Sequence, residues 1–179
     1  MPVLHPWHEA AYGNKAPETV WGVVEIPRGS RAKYEIDKAS GLLKLDRVIY
    51  SSFHYPVHYG FIPQTLGEDG DPLDILVLTS IDVQALCLVE GRVIGNMQMI
   101  DGGLQDDKII AVAVNDPGVN HIESIDALPR HFFSELKHFF EQYKFLENKT
   151  VAIDQFQHRD DAYRIINESI ERYRQQFKK

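Results

Sequence analysis

The densest run of chemistry-bearing side chains is EDGDPLDILV, residues 68–77, where Asp69, Asp71 and Asp74 fall within six positions just ahead of an apolar stretch. Two unit charges about 4 Å apart repel by roughly 4 kcal/mol at an effective dielectric near 20, a large share of a domain's net stability. Such a cluster is either fully hydrated, as in a plain polar turn, or held by a counter-charge. Asp69 and Asp71 have the two-residue spacing of a shared strand face, and Asp74 has the opposite parity. It joins them only if the chain bends between, and Gly70 and Pro72 are residue types that allow a bend. The spacing therefore lets three carboxylates converge on one point.

A second acidic loop, DGGLQDDK (Asp101 to Lys108), lies between RVIGNMQMI and IIAVAV and reads as a hairpin connection. Taken alone it is an exposed turn. Two acidic loops that each abut a strand end point instead to a hard cation such as Mg²⁺, which prefers oxygen ligands and keeps several waters. In VVEIP, strand alternation turns Glu25 with Val23 and away from Val24 and Ile26, and in KYEID Lys33 and Glu35 share a face. Taken singly, both read as outward, solvated ladders. Lys33, Arg47, Lys108 and Lys144, with Tyr55, Tyr59 and Tyr143, form a complement for metal-bound phosphate if the fold gathers them around the acids. Other metal chemistry is weaker: the eight histidines and one cysteine show no HExxH or zinc spacing. An EF-hand counted from Asp69 would need Asp or Asn, then Gly, where Leu73 and Asp74 stand.

Positioning these groups falls to two kinds of element. The first two-thirds holds short apolar stretches punctuated by Gly and Pro (VWGVVEIP, AKYEID, LLKLDRVIY, GFIP, LDILVLTS, ALCLVEGRVIGNMQMI, KIIAVAV), which predicts an antiparallel sheet or barrel. The last third changes period: Phe132, Phe133, Leu136, Phe139, Phe140 and Tyr143 share a helical face, with Pro129 suited to the first helical position. A second helix is expected across Ala162, Ile165, Ile166, Ile170, Tyr173 and Phe177, capped by Asp160 or Asp161. The expectation is an α+β fold with a mainly β core and covering C-terminal α-helices, in one domain over 1–179. A net charge of −7 argues against nonspecific nucleic-acid binding. No apolar run reaches membrane-span length, and MPVLHPWHEAAYG does not read as a signal peptide. Cys87, in ALCLVEG, is expected to be a reduced core residue of a cytoplasmic protein.

The ordered set EIP, KYE, DR, YPVHYG, DGDPLD, DGGLQDDK and FFEQYK resembles the soluble family I inorganic pyrophosphatases, from about Glu25 to Glu147, with a length suited to the bacterial branch. DGDPLD fits that family's D-G-D-P-x-D signature, far more specific than a bare D-x-D. The resemblance implies an OB-like five-stranded β-barrel with packed helices that hydrolyses pyrophosphate to two orthophosphates with several Mg²⁺ ions. Mn²⁺ or Zn²⁺ would be substitutes, Ca²⁺ an inhibitor, and the assembly a homohexamer. Carried over by motif, Asp69, Asp74, Asp101 and Asp106 match metal ligands, and Glu25 and Glu35 match acids serving a further metal or its waters. Asp71 matches the general base. Lys33, Arg47, Tyr59, Lys108, Tyr143 and Lys144 match phosphate contacts, and Tyr55 matches the site's other tyrosine. The chain departs from many bacterial relatives at Gly102, where they carry an acid, at His58, often Asn, and at the extra Asp107; alignment on Lys108 selects Asp106 over Asp107.

Two other readings fit the residues less well. A phosphatase acting on nucleotides or phosphomonoesters through a D-x-D fits poorly, since the apolar run follows the motif here and no P-loop is present. An OB-type binding module for single strands would need a basic groove where this chain clusters acids.

Overall fold

A computed structural model of the protein describes residues 4–177. Eight strands fill the β-rich part: β1 (Thr19–Ile26), β2 (Ala32–Ile36), β3 (Leu43–Val48), β4 (His58–Phe61), β5 (Asp74–Leu78), β6 (Leu88–Asp101), β7 (Leu104–Gln105) and β8 (Lys108–Ala113). Helix α1 (Arg130–Gln142), strand β9 (Val151–His158) and helix α2 (Arg159–Phe177) follow.

Hydrogen bonds run β1-β4-β5-β8-β6, and β6 returns to β1 through the pairs Thr19–Arg92 to Val23–Leu88. Five strands thus close into a ring, which leaves the ring no free edge. The 14-residue β6 makes closure possible. Its first residues pair with β1, its middle with β8, and its last with β7 and β9. All pairings are antiparallel except β5 with β8, which run parallel with Asp74 opposite Lys108. β2 and β3 form a separate two-stranded hairpin.

Alternation along the central strands divides the apolar side chains between two clusters. Ile75, Val77, Ile109 and Ala111 pack with Ala162, Ile165, Ile166 and Ile170 of α2. Leu76, Ile110 and Val112 pack with Leu136, Phe139 and Phe140 of α1. Past their opening residues, Asp74 and Lys108, both strands are therefore apolar, as buried central strands must be.

The expected architecture holds, with local differences. β9 falls where only helix was expected; its partner, β6, lies some fifty residues away, so no local signal announces it. Pro129 is the N-cap of α1 rather than its first residue. Asp160 and Asp161 lie inside the first turn of α2, where their charges complement the helix dipole, instead of capping it. Cys87 is exposed, not core. The segment before β6 contributes its backbone to the ring, Val24 N–H donating to the Cys87 carbonyl (3.0 Å) and Leu86 N–H to that of Val24 (2.7 Å).

Candidate active site

The loop carrying Asp69 and Asp71 is tied at its base. Ile62 N–H donates to the Leu73 carbonyl (2.9 Å). The Thr65 hydroxyl accepts from Leu73 N–H (2.9 Å) and donates to the Ile62 carbonyl (2.6 Å). Within the loop Gly70 takes the bend, with φ +85°. Asp71 N–H donates to Asp69 Oδ1 (3.0 Å), and Gly67 N–H to the Asp71 carbonyl (2.6 Å). The loop is also pinned from behind. Trp7 Nε1 donates to the Thr65 carbonyl (2.8 Å), Arg172 Nε to the Leu66 carbonyl (2.9 Å), and Leu66 N–H to the Ser169 carbonyl (2.9 Å). Sequence reasoning passes over Trp7, Thr65, Ser169 and Arg172, because an indole, a hydroxyl or a backbone carbonyl acting across long sequence separations has no spacing to betray it.

Asp74 opens β5 beside the first residue of β8, so the register alone puts Lys108 against it. Lys108 Nζ lies 2.5 Å from Asp74 Oδ2 and 2.9 Å from Asp106 Oδ1, with its side chain only 2% exposed. The Tyr59 hydroxyl donates to the same Asp74 oxygen. Burial pushes Asp74 up to about 6 despite the ammonium beside it, helped by the charge of Asp106. Burial acts against the Lys108 cation, but Asp106 and Asp74 together outweigh it and hold the amine well above its ordinary range. The lysine faces two carboxylates, whereas Asp74 bears the repulsion of the second.

Glu25 does not sit on a solvated ladder. The β1–β4 register slips between Val24 and Ile26, and the Glu25 side chain is buried, accepting from Ile36 N–H at 2.7 Å. Burial pushes its carboxyl up to about 8, with Ile36 N–H pulling the other way. Lys33 and Glu35 share a face as expected and pair at 3.1 Å, Lys33 also reaching Asp46 at 3.1 Å. Burial opposes ionisation of Glu35, and hydrogen bonds from Lys44 and Lys33 overcome it, leaving the carboxyl below its usual value. Burial raises Asp69.

Asp101 closes β6 opposite Leu104 across a two-residue turn and pairs with Lys144. That turn has positive φ at both centres, +59° at Gly102 and +87° at Gly103, which accounts for glycine at both positions. Asp106 faces the cleft with Asp101. Asp107 turns into a neighbouring pocket of about 90 Å³ beside Glu68, Arg164 and Arg172, accepting from Gln105 at 2.7 Å. His58 points away from the cleft: its Nδ1 accepts from Arg28 N–H (3.0 Å), and Nε2 lies 3.1 Å from the Ile81 carbonyl.

Twelve of the fourteen expected residues line one cleft of about 560 Å³: Glu25, Lys33, Glu35, Tyr59, Asp69, Asp71, Asp74, Asp101, Asp106, Lys108, Tyr143 and Lys144. Arg47 and Tyr55 stand behind it. Arg47 is held by Asp46 (2.5 Å) and Glu147 (2.9 Å). Tyr55 is buried against Tyr59, Phe139 and Tyr143 at ring separations of 5.6, 4.9 and 6.3 Å. Burial keeps the phenols of Tyr55, Tyr59 and Tyr143 protonated, so each remains a donor.

Among the described residues no three carboxylate, histidine or cysteine groups form a ready-made cation cage. The donor chemistry nonetheless suits Mg²⁺. Eight carboxylates against five lysines line the cleft, all oxygen ligands, and the buried ones resist ionising without more positive charge. A closed ring of strands with such an acid-rich mouth, interleaved with lysines and phenols, defines a site for cations together with a polyanion.

Residues 22–174 match the family model described as inorganic pyrophosphatase. A soluble inorganic pyrophosphatase of Oryza sativa is 52% identical over 169 residues, covering 94% of this chain and 79% of that protein. One of Chlamydomonas reinhardtii is 47% identical, covering 97% and 90%. Among solved structures, the inorganic pyrophosphatase of Thermus thermophilus superposes with a TM-score of 0.89 at 43% identity, covering 92% of this chain and 97% of that one. That of Helicobacter pylori gives 0.87 at 38% identity, covering 93% and 99%. The chain belongs to the family I soluble inorganic pyrophosphatases, enzymes that hydrolyse inorganic pyrophosphate with Mg²⁺.

Proposed function

We propose that this cleft is where pyrophosphate is hydrolysed to two orthophosphates, with Asp71 accepting the proton of the attacking water. The observation that carries the reading is the gathering of twelve side chains from scattered segments, acids and phosphate-type donors alike, in one cleft. Asp69, Asp74, Asp101 and Asp106 would hold Mg²⁺, with Glu25 and Glu35 serving a further ion or its waters. Bound there, the ions supply charge neutralisation and lower the pKa of water from about 15.7 towards neutrality.

The chain's own residues do the rest. Lys33, Lys108 and Lys144 meet phosphoryl oxygens, Tyr59 and Tyr143 donate as neutral phenols, and Arg47 acts from behind the cleft wall. Tyr55 braces Tyr59 and Tyr143 by ring contact. The water oxygen bonds to one phosphorus, the bridging P–O bond breaks, and the released proton passes to Asp71. Asp71 suits this role because its side chain is 52% exposed, whereas Asp74 is closed over by Tyr59 and Lys108. Several Mg²⁺ ions act together, Mn²⁺ or Zn²⁺ substitute, and Ca²⁺, larger and less strict in geometry, inhibits. The chain works as one domain, in the cytoplasm, as a homohexamer.

The test is phosphate release by the purified protein from pyrophosphate, ATP and p-nitrophenyl phosphate with Mg²⁺, using EDTA as control. Rapid, EDTA-sensitive release from pyrophosphate alone is expected. Absence of release from a folded, Mg²⁺-binding protein would refute the reading.

A further inference from the structure

Every lysine lining the cleft is already engaged with an acid. Lys33 and Lys44 hold Glu35 (3.1 and 2.8 Å), and Lys38 holds Asp71. Lys108 holds Asp74 (2.5 Å) and Asp106 (2.9 Å), and Lys144 holds Asp101. Each ammonium already spends its charge and at least one of its three N–H donors on an acid, so phosphate competes with that acid for it. The acids held by Lys108 and Lys144 are those assigned above to Mg²⁺, whose oxygen ligands stand at about 2.0–2.1 Å. A lysine and Mg²⁺ on the same carboxylate oxygen repel each other at close range.

We propose that Lys108 and Lys144 are exchange partners: Mg²⁺ takes their carboxylates and frees both ammonium groups for phosphate, so cation and anion binding are coupled through these two side chains. The inference rests on the reading of the cleft given above. The geometry offers the freed groups a path. Lys108 Nζ lies 5.3 Å from the Tyr59 ring centre and 5.9 Å from that of Phe140, and Lys144 Nζ lies 5.3 Å from the Tyr143 ring. These faces attract a cation, and the four-carbon stem gives it room to swing. Linkage then requires reciprocity: phosphate must tighten Mg²⁺ by the factor with which Mg²⁺ tightens phosphate.

The test is calorimetric and involves no turnover. The wild type, Lys108→Met and Lys144→Met are titrated with Mg²⁺ alone, and with inorganic phosphate in the presence and absence of Mg²⁺. The wild type should bind phosphate at least tenfold more tightly with Mg²⁺. Each variant should bind Mg²⁺ several-fold more tightly than the wild type, with the Mg²⁺–phosphate coupling factor falling at least threefold. If the lysines are phosphate ligands and nothing more, phosphate weakens equally with and without Mg²⁺ and the coupling factor stays as it was. That result overturns the proposal, as does unchanged or weaker Mg²⁺ binding. Circular dichroism checks folding, and if the buried Lys108 tolerates no substitution, Lys144→Met decides alone. A wild type inactive on pyrophosphate would refute the functional reading while leaving this binding test intact.

Discussion

Asp71 and Asp74 are three residues apart yet meet different surroundings. Asp71 keeps half its side chain in solvent beside Lys38, and Asp74 is enclosed by Tyr59 and Lys108. Asp71→Asn removes the proposed proton acceptor and little else. Turnover should fall about 10²- to 10⁴-fold while the melting temperature stays within a few degrees; near-normal phosphate release would sink the assigned role. Glu25 makes a different prediction. Its carboxyl rises from 4.5 to about 8 on folding, so the folded chain keeps the proton longer than the unfolded one. The stabilisation is complete below about 4.5 and is lost as pH climbs through about 8. In EDTA, the melting temperature should drop from pH 5 to pH 8, and Glu25→Gln should reduce that slope. An identical slope in the variant would show that another group carries it.

At the scale of elements, the site depends on how the aspartate loop is anchored and how β4 packs on β1. Thr65→Val keeps shape but leaves Leu73 N–H without its acceptor, which should cost about 1–3 kcal/mol in urea unfolding and slow turnover as the aspartate loop loosens. Gly60 sits where β4 crosses β1, and a Cβ there would stand 1.8 Å from the Val23 carbonyl oxygen. Gly60→Ala should therefore destabilise by about 2 kcal/mol or more, and a wild-type urea midpoint would contradict the packing. The same anchoring separates what is legible in the sequence from what is not. The acids of EDGDPLD are close in the chain, so their chemistry shows in spacing, and period alone separates the β-rich part from α1 and α2. Glu25 defeats the alternation rule because the register slips beside it. The contact of Asp74 with Lys108 depends on a parallel pairing that no local pattern encodes. Trp7 and Arg172 reach the loop from near the two ends of the chain, through hydrogen bonds to carbonyls that any residue would supply.

For the whole molecule, light scattering should give six times the 20.5 kDa of one chain, and a monomer would remove the proposed assembly. No helix among the described residues is long and apolar enough to cross a membrane. The N-terminal segment and the end of α2 meet behind the aspartate loop, where Trp7 packs against Tyr173 and Phe177 at ring separations of 6.2 and 5.4 Å. The indole is 3% exposed, lies in the cleft wall, and is one of only two in the chain. Its emission colour and intensity are therefore an optical gauge built into the loop's own fastening, readable with Trp21 replaced by Phe. Occupation of the cleft can be followed in real time without attaching any dye.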